Sequence, residues 1–245
     1  MKIAKINGLR PWQQEKHYMQ SLILNILSEF QLVFKGGTYL WFFHGLRRFS
    51  EDLDFTLDAG SRSEEIPEKV SHGLELFGID NSIKVTKAKN AISFRISAEG
   101  PLNTRLADRC IVYVDLSLRE KIVEPAIPIK LDFPEYGLPV KRMLGMNLEE
   151  VGAEKVRAIL TRKKSRDIYD LYYLINKKGI RFNEKLINKK MEYYKEVFSM
   201  KSFSEEINSR EEHYYKEMKG IIFDDLPGFN KISTELIRWA STESK

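Results

Sequence analysis

Two carboxylates one residue apart, Asp52 and Asp54, are the first chemical handle in this chain. The run Asp52-Leu53-Asp54-Phe55-Thr56-Leu57 alternates polar and apolar through Asp54, which is the period of a strand with one buried face. Successive strand side chains point to opposite faces, so Asp52 and Asp54 share one while Leu53, Phe55 and Leu57 share the other. Two like charges held together are costly unless a cation lies between them. Mg²⁺ suits such a place, because it takes carboxylate oxygens and keeps positions for substrate phosphates. An isolated Asp-x-Asp is more often an ordinary solvated strand edge, so the flanking residues decide.

Thirteen residues separate Asp52 from the preceding stretch Lys35-Gly36-Gly37-Thr38. It follows a short apolar run, Leu32-Val33-Phe34, and precedes Tyr39-Leu40-Trp41-Phe42-Phe43. The pattern predicts strand, tight turn, helix. Glycine lets backbone approach a phosphate closely and adopt positive φ. The helix start adds free N–H groups and the positive end of a dipole, and Thr38 could cap the helix or donate to a phosphate. The spacing is not that of a Walker loop. Taken alone, a Gly-Gly turn is usually only a turn. Ahead of the acids, Gly45 can end the helix. Arg47 and Arg48 follow, and Arg48 could neutralise phosphate or pair with Asp52 or Glu51. Ser50 could order the turn.

Three stretches in order, KGGTYL, RRFSEDLDF and EKVRAILTRKKSRDIYDLYYL, resemble the AbiEii/AbiGii toxin family of nucleotidyltransferases, within the DNA-polymerase-β-like nucleotidyltransferase superfamily. The resemblance covers residues 30–176. It implies an α+β fold: a nucleotidyltransferase-like mixed β-sheet core flanked by helices, then a mostly α-helical C-terminal half. The expected domains are a core over 1–140 and a helical domain over 141–245 that completes the active site. The superfamily pattern uses a third carboxylate on a strand beside the Asp-x-Asp strand. Cys110 to Leu116 is the strongest remaining strand candidate, and Asp115 is the acid within it, with Asp108 as fallback. The metal set implied is Asp52, Asp54 and Asp115. In the third stretch Lys155, Ala158, Arg162, Arg166, Asp167 and Asp170 match the family's pattern, which places Lys155 and Asp170 in the active site. Nucleotide contacts are expected from Lys35, Gly36, Gly37, Thr38, Arg48, Ser50, Arg162 and Arg166.

The elements that must position these residues are also legible. Pro11 suits a first helical residue, and Met19, Leu22, Ile23, Ile26, Leu27 and Phe30 recur at helical spacing. His17 precedes this stripe and is expected on the surface. Residues 64–77 read as a second amphipathic helix, and 82–97 as a β-hairpin turning at Ala88-Lys89-Asn90. Prolines and glycines crowd 119–147, a long connection or small hairpin between the two halves. Over 148–177, Lys155, Ile159, Arg162, Arg166 and Asp170 line one stripe of an unbroken helix. Alternatively, Lys163-Lys164 form a turn and a fresh helix starts at Ser165. The segment over 1–10 reads as irregular and basic. Aromatics after Gly179 read first as core of a helical subdomain, and second as bases' stacking partners.

Composition narrows the class. The chain has 245 residues, a formal net charge of +5 and a single cysteine. A basic balance favours anionic partners. One cysteine excludes an internal disulfide and fits a reducing compartment. No segment is long and apolar enough to span a membrane, and no signal-peptide pattern begins the chain, so a cytoplasmic location is expected.

The expected activity is Mg²⁺-dependent transfer of a nucleotide from an NTP to an acceptor hydroxyl. By resemblance the acceptor is RNA, including the 3′ end of a transfer RNA, and a cognate antitoxin is encoded alongside in a type IV toxin–antitoxin or abortive-infection system. Four other readings remain: a non-catalytic nucleotide- or RNA-binding module, a nucleotidyltransferase modifying a protein or small molecule, an Asp-x-Asp glycosyltransferase, and a metal nuclease. Turnover and NTP dependence separate them. Asp224-Asp225, in a turn context, is the main competitor for a further acidic site residue.

Overall fold

A computed structural model describes residues 8–57, 63–119 and 121–242. Most of the basic segment expected over 1–10 therefore lies outside the described residues. The described chain divides into two compact units. The first comprises residues 1–43, 49–121 and 126–145; the second comprises 44–48, 122–125 and 146–245.

The first unit is built on one seven-stranded mixed sheet. Its strands are β1 (Leu32–Lys35), β2 (Asp52–Leu57), β3 (Asn81–Ala88), β4 (Ala91–Ala98), β5 (Cys110–Ser117), β6 (Ile127–Leu131) and β7 (Lys141–Gly145). The spatial order is β3-β4-β5-β2-β1-β7-β6. Pairs β2/β5 and β1/β7 are parallel, and the others antiparallel. The hairpin expected over 82–97 is β3 and β4, and the proline-rich connection folds its own hairpin, β6 and β7. Three helices belong with this unit: α1 (Pro11–Leu27), α2 (Gly36–His44) and α3 (Ile66–Leu76).

One sheet face is the core. Leu53, Phe55, Phe94, Ile96, Val112, Val114 and Leu116 are buried. Helix α1 packs against β5 and α3 against β3. Each such apolar side chain contributes about 1.5–3 kcal/mol by leaving water. Phe34 stacks on Phe55 at 4.9 Å between ring centroids, pinning β1 to β2.

The helix α1 corrects one expectation. His17 is 8 % exposed, not at the surface. It lies among Trp41, Phe42, Phe133 and Tyr136 and shares a 2.7 Å hydrogen bond with the Tyr136 hydroxyl. The polar residues Gln13, Gln14, Glu15 and Gln20 are buried too. The α1 helix is thus enclosed on more than the face its apolar stripe marks, and it ends at Leu27, before Phe30.

The second unit is helical: α4 (Leu148–Thr161), α5 (Ser165–Tyr173), α6 (Glu184–Met191), α7 (Met200–Asn208), α8 (Glu211–Met218) and α9 (Phe229–Ser241). Helix α4 packs on α5, α6 and α7, and α5 on α8 and α9. Of the two readings of 148–177, the break is the one found. Helix α4 stops at Thr161, and α5 starts at Ser165, whose N–H donates to the Glu217 carboxylate at 2.8 Å. The aromatics Tyr214, Phe203 and Phe229 are core of this unit.

Candidate active site

Strand β1 runs directly into helix α2, with Gly36 at φ +79°. That conformation suits glycine, because a Cβ there is strained. Space demands glycine as well. A Cβ on Gly36 would strike the Asp54 carboxylate, which lies against its Cα. The glycine turn and the Asp-x-Asp strand therefore fold into one corner. The free N–H groups at the start of α2 belong to that corner.

Strand register completes it. Lys35 pairs with Asp54 across β1 and β2, and Asp54 pairs with Asp115 across β2 and β5. Paired residues project to the same side of a sheet, so Lys35, Asp54 and Asp115 form a row, with Asp52 one pleat repeat away on that face. Asp52, Asp54 and Asp115 are all half-buried. The Ser93 hydroxyl on β4, itself the register partner of Asp115, hydrogen-bonds to its carboxylate. The donor set is hard oxygen, the chemistry Mg²⁺ prefers. Among the described residues, no three acidic, histidine or cysteine side chains are drawn into a ready metal cage.

Thr38 is fully buried, and its hydroxyl donates to the Asp52 backbone carbonyl at 2.5 Å. This bond ties the start of α2 to the start of β2. Its side chain thus positions the corner, and what it can offer an anion is its backbone N–H. Ser50 is buried, and its carbonyl accepts from Gln20 Nε2 at 3.1 Å.

The second unit holds a different constellation. Arg48 is 2 % exposed and forks onto Asp170, Nε to Oδ1 at 2.6 Å and Nη2 to Oδ2 at 2.7 Å. Lys155 Nζ reaches Asp170 at 2.6 Å and Asp167 at 2.9 Å. Arg162 forks onto Asp167 at 2.8 and 2.9 Å. Asp167 and Asp170 are fully buried. Burial alone would raise both carboxyls, but Arg48 and Lys155 hold Asp170 below the usual range, and Lys155 and Arg162 hold Asp167 well below it. The break at Lys163-Lys164 turns α5 so that Asp167, not only Asp170, meets Lys155. Helical spacing in an unbroken stripe would not show this. Arg166 is half-buried, and the Arg162 side chain is 47 % exposed. Asp224 is held by Arg47 in a two-bond fork, both 2.7 Å.

A family model described as nucleotidyl transferase AbiEii toxin, Type IV TA system, matches residues 19–238. The chain belongs to the AbiEii nucleotidyltransferase toxin family. Solved structures similar to it include a putative nucleotidyltransferase from H. pylori, with TM-score 0.68, 21 % identity, 95 % of this chain and 94 % of that one. JHP933 from Helicobacter pylori gives 0.67 at 19 % identity, covering 95 % and 91 %. MenT4, the nucleotidyltransferase toxin Rv2826c from Mycobacterium tuberculosis H37Rv, gives 0.64 at 18 % identity, covering 95 % and 85 %. At these identities the structural likeness speaks to fold. No curated protein matches the chain by sequence. As an AbiEii member the chain is a nucleotidyltransferase of a toxin–antitoxin type, with the mixed sheet and helical second half that its sequence led us to expect. Among the described residues no helix is long and apolar enough to cross a membrane.

Two contacts, one in each unit, have no local signal in the sequence. Ser93 beside Asp115 needed the pairing of β4 with β5, which the alternation of both strands could have suggested. Arg48 against Asp170 is a contact over 122 positions, and no local signal carries it.

Proposed function

We propose that this AbiEii protein transfers a nucleotide from an NTP to a hydroxyl of RNA, in a Mg²⁺-dependent reaction at the Gly36–Asp54 corner. The observation that carries the reading is the seating of the Asp54 carboxylate on the Gly36 Cα. A polyphosphate lying on the N–H groups of Gly36, Gly37 and Thr38 meets carboxylates at once, and a divalent cation would reconcile the two charges. The residues that would hold it are Asp52, Asp54 and Asp115. No preformed cage is required, because Mg²⁺ commonly binds through one or two carboxylates and completes its shell with water and substrate phosphates. When bound, the ion would supply charge neutralisation and polarisation of the reacting oxygens.

In the reaction the acceptor hydroxyl gives up its proton to solvent and its oxygen bonds to the α-phosphorus. The bond from that phosphorus to the bridging oxygen breaks, and pyrophosphate leaves. The α2 N–H groups and Lys35 would bear the growing charge on the leaving group. Lys155, Asp170, Arg48, Arg162 and Arg166 enter the proposal through the family pattern that they match, as residues the reaction needs. The ion pairs of Lys155, Arg48 and Arg162 fix their geometry. The 3′ end of a transfer RNA as acceptor, a cognate antitoxin as partner and a cytoplasmic setting complete the reading, supported by the family.

The test is label transfer. Purified protein is incubated with Mg²⁺, each α-labelled NTP and total RNA, beside Asp52→Ala and Asp54→Ala. The expected result is labelled RNA with the parent chain only. Transfer that survives both substitutions would remove the acids from the site, and label that goes to protein or a small molecule would replace the acceptor.

A further inference from the structure

The sheet face that carries the acids continues past them. Register aligns Asp52 on β2 with Tyr113 on β5, Tyr113 with Arg95 on β4, and Arg95 with Lys84 on β3. Paired residues share a face, so Asp52, Tyr113, Arg95 and Lys84 form one row across four strands. Tyr113 is 47 % exposed, and Arg95 and Lys84 are exposed. The opposite face of the same strands is the buried one, with Phe94, Ile96, Val112 and Val114. An aromatic ring in a strand centre that faces water forgoes the burial its neighbours gain. Here it is flanked on one side by the acid strand and on the other by two cations. No acid occupies the row beyond Asp52. The flanking row runs from Asp54 and Asp115 to Ser93 and Thr86, so beside Arg95 and Lys84 its side chains are small.

We propose that Tyr113, Arg95 and Lys84 form the platform for the single-stranded 3′ end of the RNA acceptor. The inference rests on the RNA-acceptor reading above and extends it to a surface. A terminal base stacks on the Tyr113 ring, and the backbone phosphates next to it run over Arg95 and Lys84. The terminal hydroxyl is thereby delivered toward Asp52. The chemistry favours a single strand: a ring can stack only on a base that is not already paired and stacked within a helix. Arginine and lysine add sequence-independent phosphate contacts.

The test separates the platform from the acid corner. Binding of a short fluorescent single-stranded oligoribonucleotide is measured by anisotropy without NTP, across a salt series. Binding of Mg²⁺–NTP is measured by calorimetry on the same preparations. Tyr113→Ala should weaken oligonucleotide binding about tenfold, the size of one lost base stack, and Tyr113→Phe should restore it. Arg95→Glu with Lys84→Glu should weaken binding further and flatten its salt dependence. NTP binding should be unchanged in all of these. Oligonucleotide affinity indifferent to Tyr113→Ala and to the charge reversals overturns the platform, as does a parent chain that binds no single strand. A chain that binds no NTP, yet holds the oligonucleotide through Tyr113, overturns the acid-corner reading and leaves the platform standing.

Discussion

The two units handle carboxylates in opposite ways. In the second, Asp167 and Asp170 are sealed from water; Lys155 bridges both, Arg48 pairs with Asp170 and Arg162 with Asp167. In the first, Asp52, Asp54 and Asp115 stay half-buried along one sheet face, beside the glycine junction that opens α2. In the proposed reaction, the half-open acids are the ones that would take a cation brought by substrate. The same residue type is thus locked into buried ion pairs in one place and left half-open in the other. What separates them is exposure: the first-unit acids remain half-open on the sheet face, and the second-unit acids are closed in.

Removing a sealed acid should have the largest effect on stability. Asp170→Asn leaves Arg48 and Lys155 buried with less counter-charge, and should cost about 3–5 kcal/mol in urea unfolding. A cost under 1 kcal/mol would break the contrast. Acid acts on the same group in a definite direction. Its carboxyl is depressed in the folded chain, so its contribution is complete above the unfolded value and falls away as pH drops below it.

His17 sharpens the contrast, because it is buried without an opposite charge. Burial lowers it to about 4 from 6.5. The folded chain then binds fewer protons than the unfolded one between those values. Stability from this group is complete above pH 6.5 and lost as pH falls toward 4, by up to about 3 kcal/mol. Unfolding at pH 7 and pH 5 should show a smaller difference in His17→Gln than in the parent chain. An equal difference would contradict the assignment.

Gly36→Ala tests the open corner. Positive φ and the Asp54 carboxylate both oppose a Cβ, so a loss of about 1–3 kcal/mol is expected in thermal unfolding. Transfer activity should fall by more than that loss explains. The smallest effect belongs to Thr38→Val, which removes one hydrogen bond to the Asp52 carbonyl and should cost about 1 kcal/mol.

Much of the first unit was legible because its signals are local. The alternation at Asp52–Leu57 and Cys110–Leu116, the Ala88-Lys89-Asn90 turn, and the Gly-Gly junction each name an element without reference to distant residues. Placing β5 beside β2 needed the superfamily pattern, since parallel pairing leaves no trace in a strand's own sequence. The parallel pair β1/β7 is of the same kind, joining Val33 to Leu144. His17 was misplaced because the apolar stripe of α1 marks one face, while aromatics from α2, Phe133 and Tyr136 enclose another. The Lys155 ion network was half legible. Its residue types were in view, but the turn at Lys163-Lys164 that brings Asp167 to Lys155 was one of two open readings, and Arg48 as partner of Asp170 was out of reach.

Asp52, Asp54 and Asp115 are the acids proposed to take part in the reaction. The most direct measurement is the rate of label transfer from α-labelled NTP to RNA by Asp54→Asn, relative to the parent chain, at saturating Mg²⁺. The substitution keeps the shape that rests on Gly36 and removes the charge. A fall of about 10³-fold, roughly 4 kcal/mol of transition-state stabilisation, is the predicted result. A rate within tenfold of the parent would contradict it.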